Sequence, residues 1–529
     1  MITITSEPGA TGTRTDAPNE EGREPHAVDG LVSTGVHPII PGFHPDPTVC
    51  RVGDDYYLAH SSFEYSPGVP VWHSRNLLHW TLLGNALERA DQLPAGHAAA
   101  SGGVYAPTLR HHDGRFWLIT TDVSTEGQLV VWATDAAGPW SAALALPDVR
   151  GIDPDLAWDD EGRCWVTYAS GAPGIEGIVQ VQVDLGTGRT LSDPRVVWAG
   201  TGLAFPEAPH LYRVGSWWYL VIAEGGTERG HSVTVARSTR PDGPFVPAPS
   251  NPLLSHRSTT HPVQNTGHAD FVQLGDGSWA MVYLGVRPRG ITPLFHVLGR
   301  ETFLAGIDWS DGWPSVDEDR FVRRTPDTSF TEPFGGPRLD PRWVSPGEAP
   351  MDFVTVDPTG GITLRAGIAA NGARSALTTR ILDLRWCLEA DVDAGTGVGG
   401  LLLRLDDRHW CEIQANGEMA RAVVCIGPLE ATVGPELATG RGPVTVRMES
   451  LPSESAGPDD IALSIVVDGR EMRLARIDGR YFSTEVAGGF TGRVAGVRAV
   501  TGTVGVSEVR YTGYDRADIA AAAQRDALA

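Results

Sequence analysis

Five times along this chain a turn glycine is followed by a short strand rich in aromatic and β-branched residues. The copies are "GDDYYLAHS" from Gly53, "GRFWLITTD" from Gly114, "GRCWVTYAS" from Gly162, "GSWWYLVIA" from Gly215 and "GSWAMVYLG" from Gly277. Successive glycines stand 61, 48, 53 and 62 residues apart. A tight turn favours glycine because it has no Cβ to oppose a left-handed backbone, and aromatic and β-branched residues suit a pleated, half-buried strand. A repeat of this length in β-rich sequence fits propeller blades, and five copies predict five. The alternative is a set of ordinary hairpins in a β-sandwich.

The residues before each turn carry the chemistry. Asp46 ("HPDPTV"), Tyr105 ("GGVYAPTLR"), Asp153 ("GIDPDLAW"), Glu207 ("FPEAPHLY") and His268 ("TGHADFV") lie seven, nine, nine, eight and nine residues ahead of their repeat glycines. The first strand of a propeller blade lines the central axis, so these five side chains are expected to meet at one end of it. Singly each is weak, since Asp-Pro is commonly a turn and a lone histidine commonly structural. Turn chemistry explains the glycines and prolines but not three carboxylates aimed at one axis.

Composition narrows the chemistry. All 42 basic residues are arginine, which excludes Schiff-base catalysis and a lysine-dependent phosphate loop. A net charge of −23 argues against nucleic acid or an anionic membrane surface as partner, and no apolar run is long enough to span a bilayer. The five cysteines have no metal-ligand spacing. The N-terminus lacks a basic start followed by an apolar run, so residues 1–33 read as a disordered leader and the expected location is cytoplasmic. Carboxylates are then the acid–base machinery. Two across a sugar-sized gap can hydrolyse a glycosidic bond, a third nearby raises the acid's pKa, and aromatic rings give sugars a stacking wall.

These stretches, with "GFHPDPTVCRVGDDYYLAHSSFEYSPGVPVWHSRNLLHW", "PEAPHLYRVGSWWYLVIAEGGT", "GHADFVQLGDGSW" and "LGRETFLAGIDWSDGWP", resemble glycoside hydrolase family 43 in order over residues 38 to 316. The resemblance implies an inverting exo-enzyme on a five-bladed propeller (residues 34–324). It would remove terminal β-D-xylosyl or α-L-arabinofuranosyl residues from oligosaccharides or glycosides. It also implies Asp46 as general base, Glu207 as general acid and Asp153 as the carboxylate that tunes the acid. Phe63, Tyr105, Thr227, His268 and Arg300 would line the sugar pocket; many relatives have Trp where this chain has Tyr105. No cofactor is required. The resemblance adds a divalent cation such as Ca2+ near His268, held through waters, and homo-oligomers among relatives. Asp155, Asp159 and Asp160, in "DPDLAWDDEG", are expected to be turn and solvent groups, and Glu224 a support for the site.

From residue 328 to 515 the pattern changes to alternating runs such as "VTVRMES" and "IALSIVVDG", an antiparallel β-sandwich. Its opening, "EPFGGPRLDPRW", resembles the concanavalin-like domain that follows the propeller in many family-43 xylosidases, where one loop caps the active site. Phe490, in "GGFTGRVAG", is the candidate cap; the alternative is a Phe packed within the sandwich. Residues 516–529 read as a short tail. Two rivals remain. A retaining fructosidase-type propeller would open on a "WMNDPNG"-like motif and carry "ECP", against "FHPDPT" and "FPEAP" here. A sugar-binding propeller without catalysis is expected to lack a carboxylate, and all three are present.

Overall fold

The computed structural model describes residues 31–93, 98–395, 397–440 and 442–515. The tail expected over 516–529 and most of the expected leader lie outside them. The leader's last residues do not behave as one: Leu31–Ser33 is a strand paired antiparallel with Val322–Arg324, so sheet structure begins before residue 34.

Five antiparallel meanders follow. Their first strands are Thr48–Val52, Thr108–His112, Ile152–Trp158, Glu207–Val214 and Gln264–Gln273. Each neighbours the next, and the fifth returns to the first, which closes a five-bladed propeller around an axis. The repeat glycines all have φ between 60° and 87° at the turns after these strands, the conformation that selected glycine. The second strands are packed between neighbouring blades and so read as apolar runs rather than alternating ones; all of Cys164–Ser170 is buried. Leu58, Leu118, Val166, Leu220 and Val282 are fully buried there, each worth about 1.5–3 kcal/mol relative to exposure. The fourth strand of blade 4 is the exposed pair Val246–Pro247, where a proline can sit because the edge needs no donor.

The second half is a two-sheet sandwich. One sheet runs, in spatial order, through Val354–Val356, Ile362–Arg365, Thr503–Gly513, Trp386–Asp393, Val444–Leu451, Asp460–Val467 and Arg470–Asp478. The other is centred on Val398–Asp406 and His409–Ala415, with Val494–Thr501 beside the first. Alternate residues of both sheets build one core, and Val297 and Leu298 of the propeller join it. Tyr65–Ser66 pairs with Ser345–Pro346 across the two halves. Gly492 lets the sandwich reach the propeller backbone to backbone, since a Cβ there would lie 2.2 Å from the Leu298 carbonyl oxygen. That close approach sets the 488–492 loop over one end of the axis. No helix among the described residues is long and apolar enough to cross a membrane.

Candidate active site

Asp46, Phe63, Tyr105, Asp153, Glu207, Thr227, His268, Arg300 and Phe490 were each singled out in the sequence, and all line one small pocket of about 80 Å³ at the end of the axis under the sandwich. Asp46, Asp153 and His268 have φ of 55°, 54° and 46°; in blade 4 the left-handed residue is Ala208 (54°), directly after Glu207. Such backbone costs about 1–3 kcal/mol per residue and persists only where its surroundings enforce it. Here it turns each side chain out of the ladder toward the axis. Register shifts between Ile152 and Asp155, Glu207 and His210, and Gly267 and Asp270 mark the same places.

Asp46 is buried. Arg300 Nη1 donates to its Oδ1 at 2.9 Å and Ser61 Oγ donates to its Oδ2, while His268 Nδ1 lies 3.4 Å from Oδ1. Burial opposes ionisation, but the Arg300 guanidinium and these neighbours outweigh it and hold the carboxyl below its ordinary range. Arg300 Nη1 also donates to Thr227 Oγ1 at 3.0 Å, and Nη2 to the Phe490 carbonyl at 3.4 Å. Glu207 is pushed the other way, up to about 7, by burial and by the Asp46 charge. Asp153 is also raised, by burial first and then by Glu207 and Asp46; it accepts the Ala208 N–H at 3.2 Å. Burial lowers His268 to about 3, so it faces Asp46 as a neutral ring.

The aromatic wall is continuous. Phe63 stacks on Phe490 (ring centroids 5.9 Å, 25°) and packs on Tyr105 (5.2 Å), and Tyr105 meets Phe490 edge-on at 6.0 Å. Phe490 is 37% exposed and its N–H donates to Ser101 Oγ at 2.9 Å, so it covers the propeller pocket and is not a sandwich core residue.

Asp155 departs from its expected place in a turn facing solvent. It is fully buried on the axis, accepting from Arg110 Nη2 (2.8 Å) and the Leu211 N–H (3.0 Å). Arg110 also donates to Asp270 at 2.7 Å, so two carboxylates share one guanidinium at the propeller's centre, and Tyr212 Oη donates to Asp270 as well. Asp159 does cap a turn, but as a buried group bonded to Arg163 Nε and Trp165 Nε1; Asp160 is exposed as expected. Glu224 is fully buried and accepts from the Thr201 N–H, Thr201 Oγ1 and Thr234 Oγ1, which pins the loop leading to Glu207.

Sequence reasoning missed Ser61, Arg110 and His231. His231 lines the pocket, and its ring fills the space a Cβ on Gly267 would need. The glycine in "TGHADF" was its one visible signal. The cation expected near His268, held through waters, finds little support in the protein donors present. Ca2+ takes six to eight oxygens, whereas His268 is surrounded by the imidazoles of His210 and His231 and by an Asp46 carboxylate already bonded to Arg300 and Ser61. Among the described residues, the three side chains whose ligand atoms gather closely enough for a metal are His256, His261 and Glu318, outside this pocket.

Carboxyls, a guanidinium and a continuous aromatic wall thus meet in one pocket at the propeller axis. Residues 36–314 match the family model described as Glycosyl hydrolases family 43, and the chain belongs to that family. It is 43% identical over 295 residues to the non-reducing end alpha-L-arabinofuranosidase BoGH43B of Bacteroides ovatus, covering 55% of this chain and 54% of that protein. It is 43% identical over 296 residues to a xylosidase/arabinosidase of Butyrivibrio fibrisolvens, covering 53% and 56%. The chain thus spans about half the length of the curated relatives it matches. Likeness of fold extends further. The solved structure of Bacteroides ovatus Xyloglucan PUL GH43B superposes with a TM-score of 0.82 at 32% identity, over 91% of this chain and all of that one. A xylan beta-1,4-xylosidase from Bacillus halodurans gives 0.79 at 27%, over 90% and 99%.

Proposed function

We propose that this chain is an inverting exo-glycosidase that removes terminal non-reducing β-D-xylosyl or α-L-arabinofuranosyl residues from oligosaccharides or glycosides. One observation carries the reading: Arg300 holds Asp46 down, while in the same pocket Glu207, the raised carboxyl that also faces the outer cavity, is pushed up to about 7. Environments that split two carboxyls in this way assign the base and the acid. Asp46, ionised, takes a proton from a water; Glu207, protonated, gives one to the departing glycosidic oxygen. Asp153, whose own carboxyl is driven up by burial and by Glu207 and Asp46, offers an oxygen to the sugar. Arg300 and Thr227 hold hydroxyls, and the Phe63–Tyr105–Phe490 wall packs the ring face. The wall and the sandwich loop close the pocket beyond one residue, which favours terminal over internal cleavage. Relatives named for xylosidase and arabinofuranosidase activity support the choice of pentose.

Proton NMR of the first sugar released tests the mechanism. A β-xyloside should give α-xylose first, because water attacks opposite the leaving group. First-formed β-xylose would overturn the assignment of Asp46 as base.

A further inference from the structure

Outside the inner pocket lies a second cavity of about 630 Å³, and Glu207, Thr227, Arg300 and Phe490 line both. On the reading above, Glu207 protonates the leaving oxygen, so the group beyond that oxygen enters this chamber. We infer that the chamber binds the leaving group as a neutral oligosaccharide of more than one sugar, and that Phe205 is the platform that selects it.

Phe205 is 67% exposed, two residues before Glu207, with φ of 53°. A bulky side chain in left-handed backbone is an outlier, and an exposed one gains no core burial in return. Its ring lies over Gly226, where an added Cβ would meet it at 3.2 Å, and this presents the ring to the chamber. The loop is built to hold that pose: Glu224 binds Thr201, and the Gly225 N–H donates to the Ala204 carbonyl at 2.6 Å. The far wall comes from the sandwich, where Glu485 accepts from the His296 N–H at 3.0 Å and pairs with His296 Nδ1 at 2.7 Å. Glu485 and His296 satisfy each other within the wall, and the exposed Glu228 and Arg229 carry opposite charges, which suits a neutral ligand; an aromatic platform suits a sugar ring. The chamber has far more room than the inner pocket that takes one pentose, so the bound group extends past a single ring.

The test compares the full chain with Phe205→Ala and Phe205→Trp on two substrates of the same pentose: a pentosyl-terminated tetrasaccharide such as xylotetraose, and the pentosyl fluoride, whose leaving atom never reaches the chamber. The ratio of kcat/KM, tetrasaccharide over fluoride, should fall about tenfold in Phe205→Ala, chiefly through KM, and recover in Phe205→Trp. An unchanged ratio, whether both substrates slow together because Phe205 only braces Glu207 or neither slows, overturns the inference alone. A wild-type chain that releases pentose from neither substrate overturns the glycosidase reading with it.

Discussion

Glu207 and Asp46 show how one pocket makes two carboxyls unequal, and the difference has consequences that can be measured. With Glu207 in the proposed role of general acid, free-enzyme activity requires its proton, so kcat/KM should fall as pH rises through about 7. The same shift is a stability statement. A carboxyl raised from 4.5 to about 7 in the folded state contributes fully below pH 4.5 and loses that contribution as pH rises through 7. Glu207→Gln has no proton to lose. Its melting temperature relative to wild type should therefore climb between pH 4.5 and 8, by the equivalent of up to about 3 kcal/mol. A flat difference across that range would show that Glu207 titrates normally. Asp46, Asp153 and Glu207 were legible because each stands at a break in strand periodicity, beside Pro or Gly. Ser61 and Arg110 were not, since they sit inside ordinary strand-like sequence and acquire partners only when distant blades meet.

At the scale of elements, the blades were legible because each hairpin needs a left-handed turn and glycine marks it. Counting back from that glycine was a cruder guide. The loops of blades 1, 2 and 4 hold two residues, as between Val52 and Asp55, while those of blades 3 and 5 hold five, as between Gln273 and Trp279. Loop length and bulges together spread equivalent positions over seven to nine residues. Asp155 was misplaced for a related reason: it lies on the inner strand two residues past Asp153, where the bulge keeps both side chains on the axis. The sandwich loop at Phe490 was readable only by resemblance, because nothing in "GGFTGRVAG" says which neighbour it covers. Phe490→Ala removes stacking on Phe63 and Tyr105 but no core packing. It should lower kcat/KM on short substrates about tenfold, from roughly 1.5 kcal/mol of lost aromatic contact, with a melting temperature within a degree or two of wild type. Early melting at normal activity would return Phe490 to a structural role.

The whole molecule is a propeller whose site is finished by another domain, and a buried chain of polar contacts links the two. Arg404 of the sandwich donates to Glu64 Oε1 at 3.2 Å and to Tyr65 Oη at 2.6 Å. Glu64 Oε2 accepts the Ser101 N–H at 3.0 Å, and Ser101 Oγ accepts the Phe490 N–H. Arg404 and Glu64 are almost wholly buried, and without its partner Glu64 would be a buried carboxylate with no cation beside it. Breaking such a pair costs about 3–5 kcal/mol, more than an exposed ion pair could explain. Arg404→Ala should therefore lower the melting temperature by several degrees. Because the same contacts position Ser101, it should also raise KM on short substrates at temperatures where the variant is still folded. Arg404→Ala with Glu64→Gln should recover much of the stability, because the second change removes the stranded charge. It should not recover KM, because Gln cannot restore the Arg404 contact that fixes the Ser101 loop. If stability and KM instead return together, the interface acts only through the buried charge and does not set the pocket wall.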